Sequence, residues 1–358
     1  MKLLVITQKV DQNDDVLGFA HEWIRGLSHE FSEVRVICLA QGQSGWKEQN
    51  IHVHSLGKER GGSRIVYIFR LLYYVHTQRH VYDAVLVHMN PEYIVVAGWL
   101  WKLYKKYIVL WYAHGTVNTK LRVAAWFADL VLTSTPSGFR IAHPRIRVIG
   151  QGIDTSLFTP SYTATTHATQ GIFRFIYVGR ISPIKNVSLL IEATHLLNKK
   201  GRHCALDIIG SAATSSDVKY LHRVRQQIDA LKLTDAVRMY GSVPNRLLPP
   251  YLNAAQCFIN AGATGSLDKT MVEAMASGLP VITSNQSFSE IVGGSFGSYM
   301  FSPGNLTECT AAMIRVMDMD SNERNKVGEA LRAIAVRDHS IDQFVRKIRL
   351  QLEQLENA

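Results

Sequence analysis

At 358 residues the chain exceeds what one hydrophobic core usually serves, so two domains of about 150 to 190 residues are expected. Its 47% hydrophobic and 19% charged residues exclude a disordered chain. The net charge of +10 is uneven, at −2 over residues 1–43 and +7 over residues 44–122, where six histidines also fall. Four cysteines, Cys38, Cys204, Cys257 and Cys309, lie far apart and mostly in apolar runs, with no metal-ligand spacing, as suits buried thiols in a reducing compartment. The opening MKLLVITQKV is too poor in apolar residues for a signal-peptide core, and the longest later apolar run, 93–101, is too short for a bilayer. A cytoplasmic protein is the expectation.

In chain order, residues 3–7 read as a short apolar strand, and a polar loop, 8–13, leads to Asp14 and Asp15, either of which can cap a helix. That helix carries one apolar stripe, Val16, Phe19, Ala20, Trp23, Ile24 and Leu27. Residues 34–39 are the next strand, so the chain opens β-α-β, the unit of a doubly wound parallel sheet. A dinucleotide-binding domain would need G-x-G-x-x-G directly after the first strand, and no glycine appears before Gly18. GQSGWK, 42–47, is likewise too short for a P-loop.

Residues 63–79 are helical in period, with Ile65, Ile68, Phe69, Leu72 and Val75 apolar and Arg64, Arg70 and Arg79 near the flanks. Residues 93–101 followed by Lys102, Lys105 and Lys106 repeat the pairing. Such helices suit an anionic membrane surface, or are crossover helices packed on the sheet with solvated cations outside. No nucleic-acid motif accompanies the charge. Residues 85–87 and 108–111 are strands, the second ending in Tyr112-Ala113-His114-Gly115, where open α/β sheets bind ligands. Two more strands, 130–133 and 147–149, precede Gly150-Gln151-Gly152-Ile153-Asp154. After Pro160 a run without charge, SYTATTHATQG, reads as a linker, and a second domain starts near Ile172.

The alternation then restarts. Strands at 173–178, 206–209 and 237–240 end at Gly179, Gly210 and Gly241, with helices following, and these glycine-bearing loops are expected to line one edge. Arg180 and Lys185, presented by the Gly179 turn and Pro183, can clamp a diphosphate or be plain surface charge. The strand 257–259 leads into the small-residue loop 261–265 and a helix beginning at Thr270, which Gly278 stops and Pro280 separates from the strand 281–283. The helix N-terminus favours an anion such as phosphate. Glu273, one turn in, either binds vicinal hydroxyls or closes a capping box with Thr270.

In FIYVGRISPIKN (175–186), VIGQGIDTSLFTP (148–160), ADLVLTSTPS (128–137), VRMYGSV (237–243) and VEAMASGLPVITS (272–284), with Ser289-Glu290-Ile291, the chain resembles a GT-B glycosyltransferase of the large retaining family 4. These runs span most of the chain in the family's order. The resemblance implies an α/β GT-B fold, two Rossmann-like doubly wound parallel-sheet domains facing across a cleft. The first, 1–157, would take the acceptor, 158–171 would be the linker, and 172–338 would bind a nucleotide-sugar. A terminal helix in 339–358 would return to the first domain. The implied reaction is metal-independent transfer of a hexosyl or related sugar with retained configuration, without a cofactor, to an acceptor such as a lipid-linked or membrane-proximal glycan. By the same resemblance Arg180 and Lys185 hold the donor diphosphate, Glu273 the ribose, and His114 lies by the transferred sugar. Gly241 to Val243 seat the base, and Gln151 to Thr155 resemble the interdomain hinge.

One position departs from the pattern. The family commonly has a glutamate eight residues before the one matching Glu273, and here that residue is Gly265. Asp268, three residues on, can reach the sugar in its stead or merely cap the helix, and Lys269 can add a third cation. This departure keeps open a degenerate, non-catalytic GT-B subunit or partner protein as an alternative, and a GT-B sugar-nucleotide epimerase is another. If the basic helices meet lipid, the protein would sit at the inner face of a membrane.

Overall fold

The computed structural model describes residues 1–14, 17–161, 172–263 and 265–357; Asp15 and Val16 of the expected first cap and stripe, most of the expected linker, and Thr264 lie outside them. The chain forms two compact units, Met1–Gly152 with Asp338–Ala358, and Ile153–Arg337. Both are doubly wound α/β units of parallel strands.

The N-terminal unit holds β1 (Lys2–Val10), α1 (Phe19–Glu30), β2 (Glu33–Gln41), β3 (Ile51–Ser55), α2 (Arg64–Thr77), β4 (Ala84–His88), α3 (Pro91–Leu103), β5 (Tyr107–Trp111), α4 (Thr119–Phe127), β6 (Leu130–Thr133) and β7 (Ile146–Val148). Its sheet runs β3-β2-β1-β4-β5-β6-β7, every pair parallel. Strand residues alternate between two cores, as the period of two requires. Leu3, Val5, Val36 and Leu86 face α1, whereas Leu4, Ile6, Val85 and Leu110 face α2, α3 and α4. The first helix starts at Phe19, later than the aspartates, because Asp14 Oδ1 accepts from the N–H of Leu17 (2.6 Å) in a turn ahead of it.

The C-terminal unit holds β8 (Phe173–Val178), α5 (Val187–Lys199), β9 (Cys204–Ile209), α6 (Ser215–Ala230), β10 (Val237–Gly241), α7 (Pro249–Asn253), β11 (Cys257–Asn260), α8 (Lys269–Ala276), β12 (Val281–Thr283), α9 (Ser287–Val292) and α10 (Leu306–Asp318), after which come α11 (Ser321–His339) and α12 (Ile341–Glu356). Its sheet runs β10-β9-β8-β11-β12, again parallel. One face packs on α5, α6 and α10, the other on α7, α8 and α9. The last helix, α12, belongs to the N-terminal unit, where Phe344, Ile348 and Leu352 join the core of Trp23 and Leu27. All four cysteines are buried free thiols. Burial pushes those of Cys38, Cys204 and Cys309 up to about 12.

The basic helix differs from its expected packing. Of its apolar stripe, Val75 and the half-buried Leu72 pack on the sheet, together with Leu71, but Ile65, Ile68 and Phe69 lie on the outer side, 66%, 42% and 68% exposed. Apolar residues stand on both sides of this helix, so period alone does not decide which side packs. The expected cations divide too. Arg70 donates inward to the Leu56 carbonyl (2.7 Å) and Lys106 to that of Tyr82 (2.6 Å), while Lys102 pairs with Asp129 (2.6 Å). Among the described residues no helix is long and apolar enough to cross a membrane.

Candidate active site

The carboxyl ends of β8 to β12 bring the expected residues of the C-terminal unit together. Gly210 follows β9 with φ 142°, and a Cβ there would collide with the Gly179 carbonyl oxygen, so the turns after β8 and β9 touch only because this residue is glycine. The Gly210 N–H donates to the carbonyl of Gly241 (2.7 Å), tying β10's end to the same edge. Beside Gly179, the buried Tyr177 hydroxyl donates to the carbonyl of Arg180 (2.8 Å), and burial holds that phenol well above its ordinary pKa. Arg180 is thereby fixed by its backbone while its guanidinium remains half exposed, with a long contact to Asp217 (3.9 Å).

Lys185 ends a short 3-10 turn, Pro183–Lys185, and its ammonium is paired with Asp268. Asp268 occupies the N-cap position of α8 without capping it by side chain. Its other oxygen accepts from Asn260 Nδ2 (2.7 Å) and Asn285 Nδ2 (3.4 Å), which stand at the ends of β11 and β12. Both asparagines are buried. The capping alternatives fail on this geometry. Thr270 lies inside α8 and its hydroxyl donates to the carbonyl of Val178 (2.8 Å), so no Thr270–Glu273 capping box forms.

Glu273 is 1% exposed, and its Oε1 accepts from Asn245 Nδ2 (2.8 Å) and Lys269 Nζ (2.9 Å). Oε2 is buried with no partner among the described residues. A carboxylate oxygen left so costs free energy that a hydroxyl donor would recover. Asp268 and Lys269 are neighbours in sequence, so one pair of residues links the Lys185 cation to the Glu273 carboxylate. Val243, two residues past β10, is half-buried against the core of α7 and α8. Asn245, Asn260 and Asn285 were not singled out in the sequence; Asn260 and Asn285 are polar residues that close apolar strand runs, CFIN and VITSN, whereas Asn245, which opens a 3-10 turn after β10, carries no such mark.

His114 lies in the other unit, past the end of β5, and is exposed. Its Nδ1 accepts from the N–H of Thr116 (3.1 Å), which leaves the proton of the neutral ring on Nε2. Nearby, Met89 adopts φ 64° at the end of β4, and Gln8 donates to Asn90 (2.7 Å).

Residues 167–334 match the family model of glycosyl transferases group 1. Mannosylfructose-phosphate synthase of Agrobacterium fabrum is 26% identical over 168 residues, 43% of this chain and 37% of that protein. The UDP-Gal:alpha-D-GlcNAc-diphosphoundecaprenol alpha-1,3-galactosyltransferase of Escherichia coli is 24% identical over 222 residues, 57% of this chain and 56% of that one. This chain thus spans less than two thirds of the length of either relative. Among solved structures, Anabaena Alr3699/HepE in complex with UDP superposes with a TM-score of 0.77 at 20% identity, covering 99% of this chain and 100% of that one. The fold is GT-B, with two Rossmann-like units of seven and five parallel strands.

Proposed function

We propose, from the premise that residues 167–334 form a glycosyl transferases group 1 domain, that this protein transfers a sugar from a nucleotide-sugar to a glycan acceptor. The observation that carries the reading is the buried Glu273 carboxylate, one oxygen held by Asn245 and Lys269 and the other without a partner, one turn inside α8. That free oxygen suits a ribose hydroxyl. Arg180 and Lys185, with the N–H groups that open α8, suit the two phosphates, and Gly241 to Val243 at the end of β10 leave an edge for the base. Cations and a helix N-terminus neutralise a leaving diphosphate without a metal, which is the route assigned here.

Transfer proceeds with retained configuration, with the Nε2–H of His114 donating to the transferred sugar. The acceptor is a lipid-linked or membrane-proximal glycan. Support for it comes from the basic N-terminal unit and from the diphosphoundecaprenol named for the Escherichia coli relative.

Thermal stabilisation by a panel of UDP-, GDP- and ADP-sugars tests the donor class, because a ligand that binds only the native state raises its melting temperature. Hydrolysis of the stabilising sugar tests the chemistry. Arg180→Ala or Lys185→Ala should lower turnover by roughly 10² to 10³. Glu273→Gln should weaken nucleotide binding by about 1.5 to 3 kcal/mol with little change in melting. A panel without a stabilising member overturns the proposal and favours a non-catalytic subunit, whereas full turnover in both cation variants removes their diphosphate role and leaves them plain surface charge.

A further inference from the structure

The face of the N-terminal unit formed by α2, α3 and α4 carries an apolar surface with no use inside the unit. Ten of the eighteen large apolar side chains exposed among the described residues stand on these helices, which have only 14, 13 and 9 residues. On α2 they are Ile65, Val66, Ile68, Phe69 and Tyr73. Val95, Trp99 and Leu103 repeat every four residues along α3, and Val123 and Trp126 follow on α4. In each case the spacing of three or four gathers them on one stripe, opposite the side that packs on the sheet through Leu71 and Val75, Ile94 and Trp101, and Leu121 and Ala125. The helices are consecutive neighbours on one face, α2 beside α3 and α3 beside α4. The outward stripes therefore form one surface.

Charge identifies what covers it. Between residues 58 and 126 ten lysines and arginines stand against three acids. Lys102 and Lys120 are neutralised by Asp129 and Glu92. Arg64, Lys105 and Arg122, exposed at the ends or flanks of the three helices, have no acidic partner among the described residues. A protein interface also gathers aromatic residues and arginine, but it depletes lysine and keeps charge out of its core. Exposed Phe, Trp and Tyr among unpaired cations match a bilayer boundary, where rings seat at the headgroup level and cations meet anionic lipid. We infer that α2, α3 and α4 dock the protein on an anionic membrane, Phe69, Trp99 and Trp126 entering the headgroup region while Arg64, Lys105 and Arg122 contact lipid phosphates. This inference rests on the proposed membrane-proximal acceptor and assigns the surface that reaches it.

The test is flotation of the whole protein with phosphatidylglycerol vesicles and with phosphatidylcholine vesicles, at low and high salt. Binding to the anionic vesicles is expected, weakening as salt rises, with a blue shift of tryptophan emission on insertion. Phe69→Ser with Trp99→Ser, and separately Arg64→Glu with Lys105→Glu and Arg122→Glu, should each lower partitioning by at least about tenfold. Melting temperatures should be unchanged, since these side chains are exposed. Equal binding to both vesicle types, or none, overturns the inference. So does a dimer in light scattering that Phe69→Ser with Trp99→Ser dissociates, which would make the face an interface between copies. Failure here with intact nucleotide-sugar stabilisation removes the docking surface and leaves the transferase reading. Vesicle binding by a protein that no nucleotide-sugar stabilises does the reverse.

Discussion

Asp268 carries three donors at once, Lys185 on one oxygen and Asn260 and Asn285 on the other. A carboxylate held this way works on its neighbour, fixing the Lys185 ammonium at the mouth of α8 where a diphosphate would displace it. Asp268→Asn removes the charge and turns an amide toward donors that need an acceptor, so a stability loss of about 1 to 3 kcal/mol is expected. The KM for the nucleotide-sugar should rise more than turnover falls, since Lys185 is loosened and not removed. Melting and steady-state kinetics decide it, and unchanged values in both would leave Asp268 without a role. Gly265 is a different case. Its φ of 63° is left-handed backbone, which penalises any side chain. Restoring the family's glutamate by Gly265→Glu should thus cost about 1 to 2 kcal/mol of stability without raising turnover; a faster enzyme would show that the loop can be rebuilt around that carboxylate.

At the level of elements, the end of β4 holds a histidine that its surroundings keep neutral. The rings of Phe19, Trp23 and Trp111 enclose His88, and its Nδ1 meets the Thr7 hydroxyl (3.1 Å). Burial alone lowers its pKa to about 4. The unfolded chain binds this proton near pH 6.5, so between 6.5 and 4 the unfolded state holds more protons and stability is lost as the pH is lowered. The contribution is fully present above pH 6.5 and is about 3 kcal/mol. His88→Gln should flatten that part of the melting profile between pH 6.5 and 4, and an unaltered acid limb would place the titrating group elsewhere. Helix α2 makes a related point about elements. Its period is plain in the sequence, yet the side that packs is set by Leu71 and Val75 reaching the sheet, and the more conspicuous stripe of Ile65, Ile68 and Phe69 is left to solvent.

For the whole molecule, the two doubly wound units were legible because parallel strands buried on both faces read as apolar runs, as in LLVIT and FRFIYV. Strand β3, IHVHS, was not, since this edge strand has no apolar run and its apolar–polar alternation, Ile51 to His54, lasts only four residues. Arg180, Lys185 and Glu273 were legible by their positions next to strand ends and glycine turns. Asn245, Asn260 and Asn285 were not, because an asparagine becomes part of a site only when separate strand ends converge on it. Each unit also has its own core, and α12, last in sequence, belongs to the first. Phe344 on α12 is fully buried against Trp23, ring centroids 4.2 Å apart. Phe344→Ala should therefore cost about 3 to 5 kcal/mol, and the loss should fall on the N-terminal unit. Calorimetry with the stabilising nucleotide-sugar separates the units, since the ligand raises only the unfolding of the unit that binds it. The variant is expected to lower the ligand-insensitive transition and leave the ligand-shifted one in place, with nucleotide affinity unchanged. If the ligand-shifted transition fell instead while the other held, Phe344 would be supporting the nucleotide-binding unit, and the assignment of α12 to the first core would be wrong.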